Sequence, residues 1–146
     1  MIAFDSLKDY SLFGGLSPEE LAFVKPLLET ASYAAGEAVL REGQPNERIF
    51  FILEGSVSIE RSGAQLATLG EGDTFGEMEF LDVMPAAASV VARSPTTVAT
   101  ISNRALRELS RTSMRAFALV VMNLARDLSR RLRRMNEIVA GLTPRP

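Results

Sequence analysis

The sequence has 146 residues, 47% of them hydrophobic, which suits one domain with a real core. It contains no Cys and no His, so disulfides, the usual zinc sites and Ser-His-Asp or Cys-His triads are excluded. The net charge of −2 hides a split: residues 1–100 carry six Lys/Arg against fifteen Asp/Glu, net −9, and residues 101–146 carry ten Arg against three Asp/Glu, net +7.

The chain opens with helical signals, then a turn at Leu12-Phe13-Gly14-Gly15. Ser17-Pro18-Glu19-Glu20 announces a helix, with Ser17 as cap, Pro18 at the first helical position and Glu20 closing a capping box. Leu21, Val24, Leu27 and Leu28 follow at helical spacing and predict a buried stripe. From residue 31 to 101, glycines at 36, 43, 55, 63, 70, 72 and 76 separate short runs of branched and aromatic residues. These runs are Ala38–Leu40, Ile49–Leu53, Ser56–Glu60, Gln65–Leu69, Ser89–Ala92 and Thr96–Ile101. Their spacing predicts about eight short strands in an all-β sandwich or barrel. Gly76–Asp82 lacks alternation and reads as a short helical turn between strands.

After residue 102 the pattern is helical. Asn103–Arg111 predicts a short helix, and Ser113 caps a long one. Met114, Phe117, Val121, Leu124, Leu128, Met135, Ile138 and Leu142 fall on a 3-4 repeat broken only by Arg131, the seam of a coiled coil. Leu119, Val120, Met122, Ala125 and Leu132 supply a second apolar face, so the helix has material for both a partner copy and its own domain. A homodimer through this helix is the expectation. Thr143–Pro146 reads as a frayed tail.

Helix, strands and long helix in this order resemble the cyclic nucleotide-binding domain of the catabolite activator protein and of kinase regulatory subunits. Three stretches carry the resemblance: Gly14–Leu21, Glu42–Val57 and Leu69–Glu77. It implies a mainly β fold with flanking helices. The core would be an eight-stranded antiparallel β-roll (a double-stranded jelly roll), with N-terminal helices, a short cassette helix and a long C-terminal helix. The implied organisation is a helix plus β-roll over residues 1–112, a dimerisation or lid helix over 113–142 and a tail over 143–146, all one domain.

The resemblance places a phosphate-binding cassette at Phe75, Gly76, Glu77, Met78 and Glu79, continuing past Pro85 to Ala86, Ala87 and Ala88. In such a cassette a glycine lets the ligand approach, a glutamate accepts from a sugar hydroxyl and an arginine forks onto the phosphate. Gly76 and Glu77 match the glycine and the glutamate. The arginine position is Ala86, the hydroxyl position after it is Ala87, and both flanks stay in register. A charge-assisted hydrogen bond contributes roughly 1.5–3 kcal/mol, so its loss weakens phosphate binding by about 100-fold. Glu77, Glu79 and Asp82 make the neighbourhood acidic. Arg93 and Arg131 are candidate substitutes, with Arg131 and Leu132 as candidate lid residues. Alternatively, Gly76 and Glu77 persist only as turn and cap residues.

The expectation is a non-catalytic regulatory or sensor module with a degenerate or altered nucleotide site, signalling through its C-terminal helix. A functional cyclic AMP or cyclic GMP site using a substitute arginine is an alternative, as is another, less anionic small ligand. A further alternative is a fragment of a DNA-linked transcription regulator: such a protein adds a helix-turn-helix after the long helix, and the fragment would lack it. Arg126, Arg130, Arg131, Arg133 and Arg134 read as a solvated face, so nucleic acid is not the expected partner. A cupin-like enzyme needs clustered histidines for its metal, and no metal site is expected. A partner's helix in place of a second copy would need an acidic mate for Arg131, and an effector protein is a further possible partner. Ile49–Leu53 and Phe117–Met122 fall far short of the ~20 residues of a membrane span. Met1–Asp5 lacks the features of a secretion signal, so the expected location is cytoplasmic.

Overall fold

The structure, a computed structural model, describes residues 4–142, with side-chain environments from Leu7 onward. The expected tail at 143–146 lies outside the described residues. The chain opens with 3-10 turns at Phe4–Asp9 and Ser11–Phe13. Helix α1 then spans Pro18–Val24. Its capping box forms as the sequence predicts: the Glu20 amide donates to Ser17 Oγ (3.1 Å), and the Ser17 amide donates to Glu20 Oε1 (2.8 Å). The helix is shorter than the stripe through Leu28 implies. Pro26 has no N–H and its ring clashes with the carbonyl four residues back, so Lys25–Leu27 tightens into a 3-10 turn.

Eight strands follow: β1 Glu29–Tyr33, β2 Ala38–Leu40, β3 Arg48–Glu54, β4 Val57–Arg61, β5 Ala64–Leu69, β6 Thr74–Phe75, β7 Ser89–Ala92 and β8 Thr96–Ser102. They form two four-stranded antiparallel sheets, ordered β1-β8-β3-β6 and β2-β7-β4-β5. Helix α2 (Glu77–Asp82) interrupts the strands where alternation failed. Helices α3 (Asn103–Thr112) and α4 (Met114–Leu142) close the described chain. The expected β-roll with flanking helices is present. Among the described residues, no helix is long and apolar enough to cross a membrane.

Strand β3 shows how two cores share one strand. Ile49, Phe51 and Leu53 point to a core built with the helices, beside Phe13, Leu109 and Leu124. Phe50 and Ile52 point into the roll, beside Val57, Phe75 and Val98. Burial on both faces is why Ile49–Leu53 is uniformly apolar rather than alternating. Phe50 pairs in register with Phe75, and their rings stack with centroids 4.8 Å apart. That contact fixes β6, and β6 in turn delivers the chain to the cassette.

Helix α4 lies on the molecule through one stripe. Ala116, Val120 and Leu124 are buried in the helical core. Within the same stripe, Asn123 Nδ2 donates to the Leu12 carbonyl (3.1 Å) and the Gly14 carbonyl (2.9 Å). Ser11 Oγ donates to Asp127 Oδ2 at 3.0 Å. Arg131 continues the same stripe. Beyond it, residues 132–142 are exposed throughout.

Candidate ligand-binding site

The turn into α2 is glycine by necessity. Gly76 has φ of 81°, a left-handed conformation, and a Cβ there would sit 2.8 Å from Asn46 Nδ2 and 3.0 Å from the Arg48 carbonyl oxygen. Asn46 Nδ2 donates to both the Arg48 and Gly76 carbonyls, at 2.9 and 3.0 Å. The turn directs Glu77 inward, and Glu77 is 3% exposed. Glu79 is also buried, whereas Met78 is 54% exposed and lines the mouth of the neighbouring cavity.

Between α2, the second sheet and α4 lies a cavity of about 200 Å3. Leu40, Ile59, Leu69, Phe75 and Val90 give it apolar walls, and Glu77, Glu79 and Arg131 are its charged residues. Ala87 and Ala88 line it as well. Ala86 does not. Its side chain is 3% exposed within the roll core, its amide donates to the Gln44 carbonyl and its carbonyl accepts from the Gly43 amide, both at 2.9 Å. The Ala87 amide donates to Glu79 Oε1 at 3.0 Å. An anion at that amide would have to displace a carboxylate.

Of the two candidate substitutes, Arg93 lies just past the end of β7, exposed and away from the cavity. Arg131 reaches the cavity, but its guanidinium is engaged. It pairs with Glu77 Oε1, donates to the Thr74 carbonyl, and makes a third hydrogen bond to Thr74 Oγ1 at 3.2 Å. Leu132, a candidate lid residue, is 63% exposed and points away. Burial pushes the Glu77 carboxyl above its ordinary range; Arg131 draws it down without cancelling that effect, and Glu79 and Asp127 push it up further. Among the described residues, no cluster of acids is arranged to hold a metal ion.

The seam residues divide. Phe117 packs against the helical core and Leu124 is buried in it, so these two leave the outer face. The outer repeat shifts by one residue at alternate positions, to Met114, Ala118, Val121, Ala125, Leu128, Leu132, Met135, Val139 and Leu142, all exposed except the half-buried Leu128. Its 4-3 spacing is unbroken over four heptads. Arg131 no longer interrupts it, because Arg131 belongs to the face that touches the roll. Sequence reasoning missed Thr74, Asn123 and Asp127 as the other attachments of this face. A polar residue amid the apolar positions 116, 120 and 124 was the available signal for Asn123.

The profile of the cyclic nucleotide-binding domain family matches residues 30–113. The chain belongs to that family. It is 34% identical to the cyclic AMP receptor protein of Thermus thermophilus over 132 residues, 87% of this chain and 59% of that protein. It is 31% identical to the cAMP-dependent protein kinase regulatory subunit of Hypocrea atroviridis over 103 residues, 70% of this chain and 22% of that protein. It is also 34% identical over 127 residues to Glutaminase 2 of Bradyrhizobium diazoefficiens, 86% of this chain and 20% of that enzyme. The chain therefore spans from about a fifth to three fifths of the length of these relatives.

Among solved structures, a cyclic nucleotide-binding domain from Methylobacillus flagellatus superposes with a TM-score of 0.85 at 28% identity, covering 98% of this chain and 83% of that one. The regulatory subunit of a cAMP-independent protein kinase A from Trypanosoma brucei superposes with a TM-score of 0.72 at 26% identity, covering 83% of this chain and 42% of that one. A triple-substitution variant of that subunit, one substitution introducing an arginine, is described as bound to cAMP.

Proposed function

We propose that this cyclic nucleotide-binding domain is a non-catalytic regulatory module whose cassette no longer holds a cyclic phosphate at signalling concentrations, and that two copies join through α4. One observation carries the reading: among the described residues, Arg131 is the one cation lining the cavity, and it is already spent on Glu77 and Thr74. A phosphate entering there would meet the methyl groups of Ala87 and Ala88 and the carboxylates of Glu77 and Glu79, with no uncommitted cationic donor. The trypanosomal subunit is a parallel case, since it is described as cAMP-independent and an arginine-bearing variant of it as cAMP-bound. The space and the apolar walls remain, so a neutral ligand stays compatible with the cavity.

A second reading is favoured by one observation. The Arg131 side chain is 36% exposed at the cavity rim, and by releasing Glu77 it would serve as the substitute phosphate ligand. The same helix would then report the ligand directly.

Self-association of α4 draws on the arrangement of charge. In the exposed heptad the arginines at 126, 130, 133 and 134 fall outside the seam and its flanking positions. The two that flank it, Arg115 and Arg131, are paired with Glu20 and Glu77 of their own chain, so two parallel copies bring no unpaired like charges together there. Arg131 finds its acidic mate within its own chain, which removes the need for an acidic partner helix.

Calorimetric titration with cyclic AMP and cyclic GMP tests the site. The wild-type chain is expected to bind neither more tightly than about 10 μM. Replacing Ala86 with Arg (A86R), in a variant that retains its melting temperature, is expected to tighten cyclic AMP binding by about 10- to 100-fold. A submicromolar wild-type affinity that disappears in R131Q would instead establish the second reading.

A further inference from the structure

The exposed face of α3 carries Arg104, Arg107 and Arg111, which together line one open concavity of about 390 Å3. The opposite face of the helix, with Ala105, Leu106 and Leu109, is buried in the core and holds the ridge in a fixed orientation. Among the described residues, none of the three guanidiniums has an ion pair or hydrogen bond, although Glu108 lies on the same helix. The arrangement runs against the interest of the helix itself. Arg104 stands in the first turn, where the helix dipole disfavours a cation. Arg107 and Arg111 stand four residues apart, where like charges repel. Arg111 is in the last turn, where the dipole favours it, but among the described residues no hydrogen bond or ion pair offsets the position of Arg104 or the repulsion between Arg107 and Arg111.

We infer that this ridge is a docking surface for an acidic α-helical segment of a partner protein. Along the axis the three arginines are separated by about 4.5 and 6 Å, from a rise of 1.5 Å per residue. Carboxylates at positions i, i+3 and i+7 of a helix laid alongside have the same spacing. Each guanidinium fork then receives one carboxylate in a charge-assisted pair. The ridge spans only about two helical turns, and the body formed by residues 1–100 carries a net −9. A short acidic helix matches that span, whereas a long polyanion such as duplex nucleic acid would extend well beyond the three guanidiniums and gain its affinity elsewhere.

The test is a fluorescence-anisotropy titration at low ionic strength on the full chain. The probe is a labelled alanine-rich peptide of about 15 residues with Glu at i, i+3 and i+7. Its counterpart carries Gln at the same three positions. The Glu peptide is expected to bind roughly tenfold more tightly than the Gln peptide, and the variant R104Q/R107Q/R111Q to lose that advantage. A control variant, R133Q/R134Q, changes affinity less than about twofold, and both variants keep the wild-type melting temperature. The proposal is overturned if the triple variant binds the Glu peptide as well as wild type does. It is equally overturned if the control variant loses as much, or if a duplex of about 20 base pairs binds more tightly than the peptide through the same three arginines.

Discussion

Glu77 shows what a cassette glutamate does without its ligand. Its carboxyl is almost fully desolvated, and the Arg131 pair does not restore what burial removes, so its pKa lies above the ordinary carboxylate range. The sign of the consequence follows from proton binding. In the window between the unfolded and the raised folded pKa, the folded chain holds the extra proton, so the contribution of Glu77 to stability falls as pH rises through that window. The other groups facing it are Glu79 and Asp127. We therefore expect wild type to lose stability relative to E77Q as pH rises above the ordinary carboxylate range. Urea denaturation of both proteins at a series of pH values measures that difference. A wild-type advantage that grows with pH would show that the Arg131 pair dominates instead. The residues of this site were legible in uneven degree. The short helical turn starting at Gly76 could be read from the residues, because turns and helix starts are local, whereas the roles of Glu77 and of the alanine at the arginine position came only from the resemblance to the family. The engagement of Arg131 could not be read, because it joins residues 54 positions apart and only the path of α4 brings them together.

At the scale of elements, α4 has two apolar faces that interleave in sequence. Phe117 and Leu124 belong to the inner face, and Ala118 and Ala125 to the outer one. A hydrophobic pattern alone favours the larger residues, which is why the repeat reads as passing through Phe117 and Leu124 until burial separates the faces. The strands were more legible, since glycine turns punctuate them. Strand β6 was not, because its two residues owe their pairing to the Phe50–Phe75 stack rather than to any local run. The two faces predict different failures. Leu124→Ala opens a cavity in the core and is expected to cost about 2–5 kcal/mol of fold stability. The double variant L132E/M135E places charges on exposed seam positions and is expected to leave the melting temperature of the roll unchanged while converting a dimer to a monomer. Light scattering and thermal melts separate the two outcomes. A monomeric wild-type chain, or an L132E/M135E variant that stays dimeric, would remove α4 as the dimer interface.

Across the whole molecule, the charge split becomes a set of ties between body and tail. Arg115 pairs with Glu20 at the start of α4, and Arg131 pairs with Glu77 two thirds of the way along. Between them, Asn123 and Asp127 bind the turn around Ser11–Gly14. The last tie before the exposed end of α4 is thus the one at the cassette. Breaking it should loosen α4 beyond its packed turns, from about residue 125 onward, without disturbing those turns at Ala116, Val120 and Leu124. A single R131Q substitution would also strand a buried carboxylate, which is destabilising in its own right. The pair R131Q/E77Q removes both charges and isolates the tie. In the L132E/M135E background, where a second copy cannot shield the helix, R131Q/E77Q is expected to speed amide hydrogen exchange by roughly tenfold in residues 125–142 and in α2. Exchange in α3 and in residues 114–122 is expected to stay at the background rate. Unchanged protection over 125–142 would mean that the helix is held by its packed turns alone, and that the cassette has no mechanical connection through Arg131 to the rest of the chain.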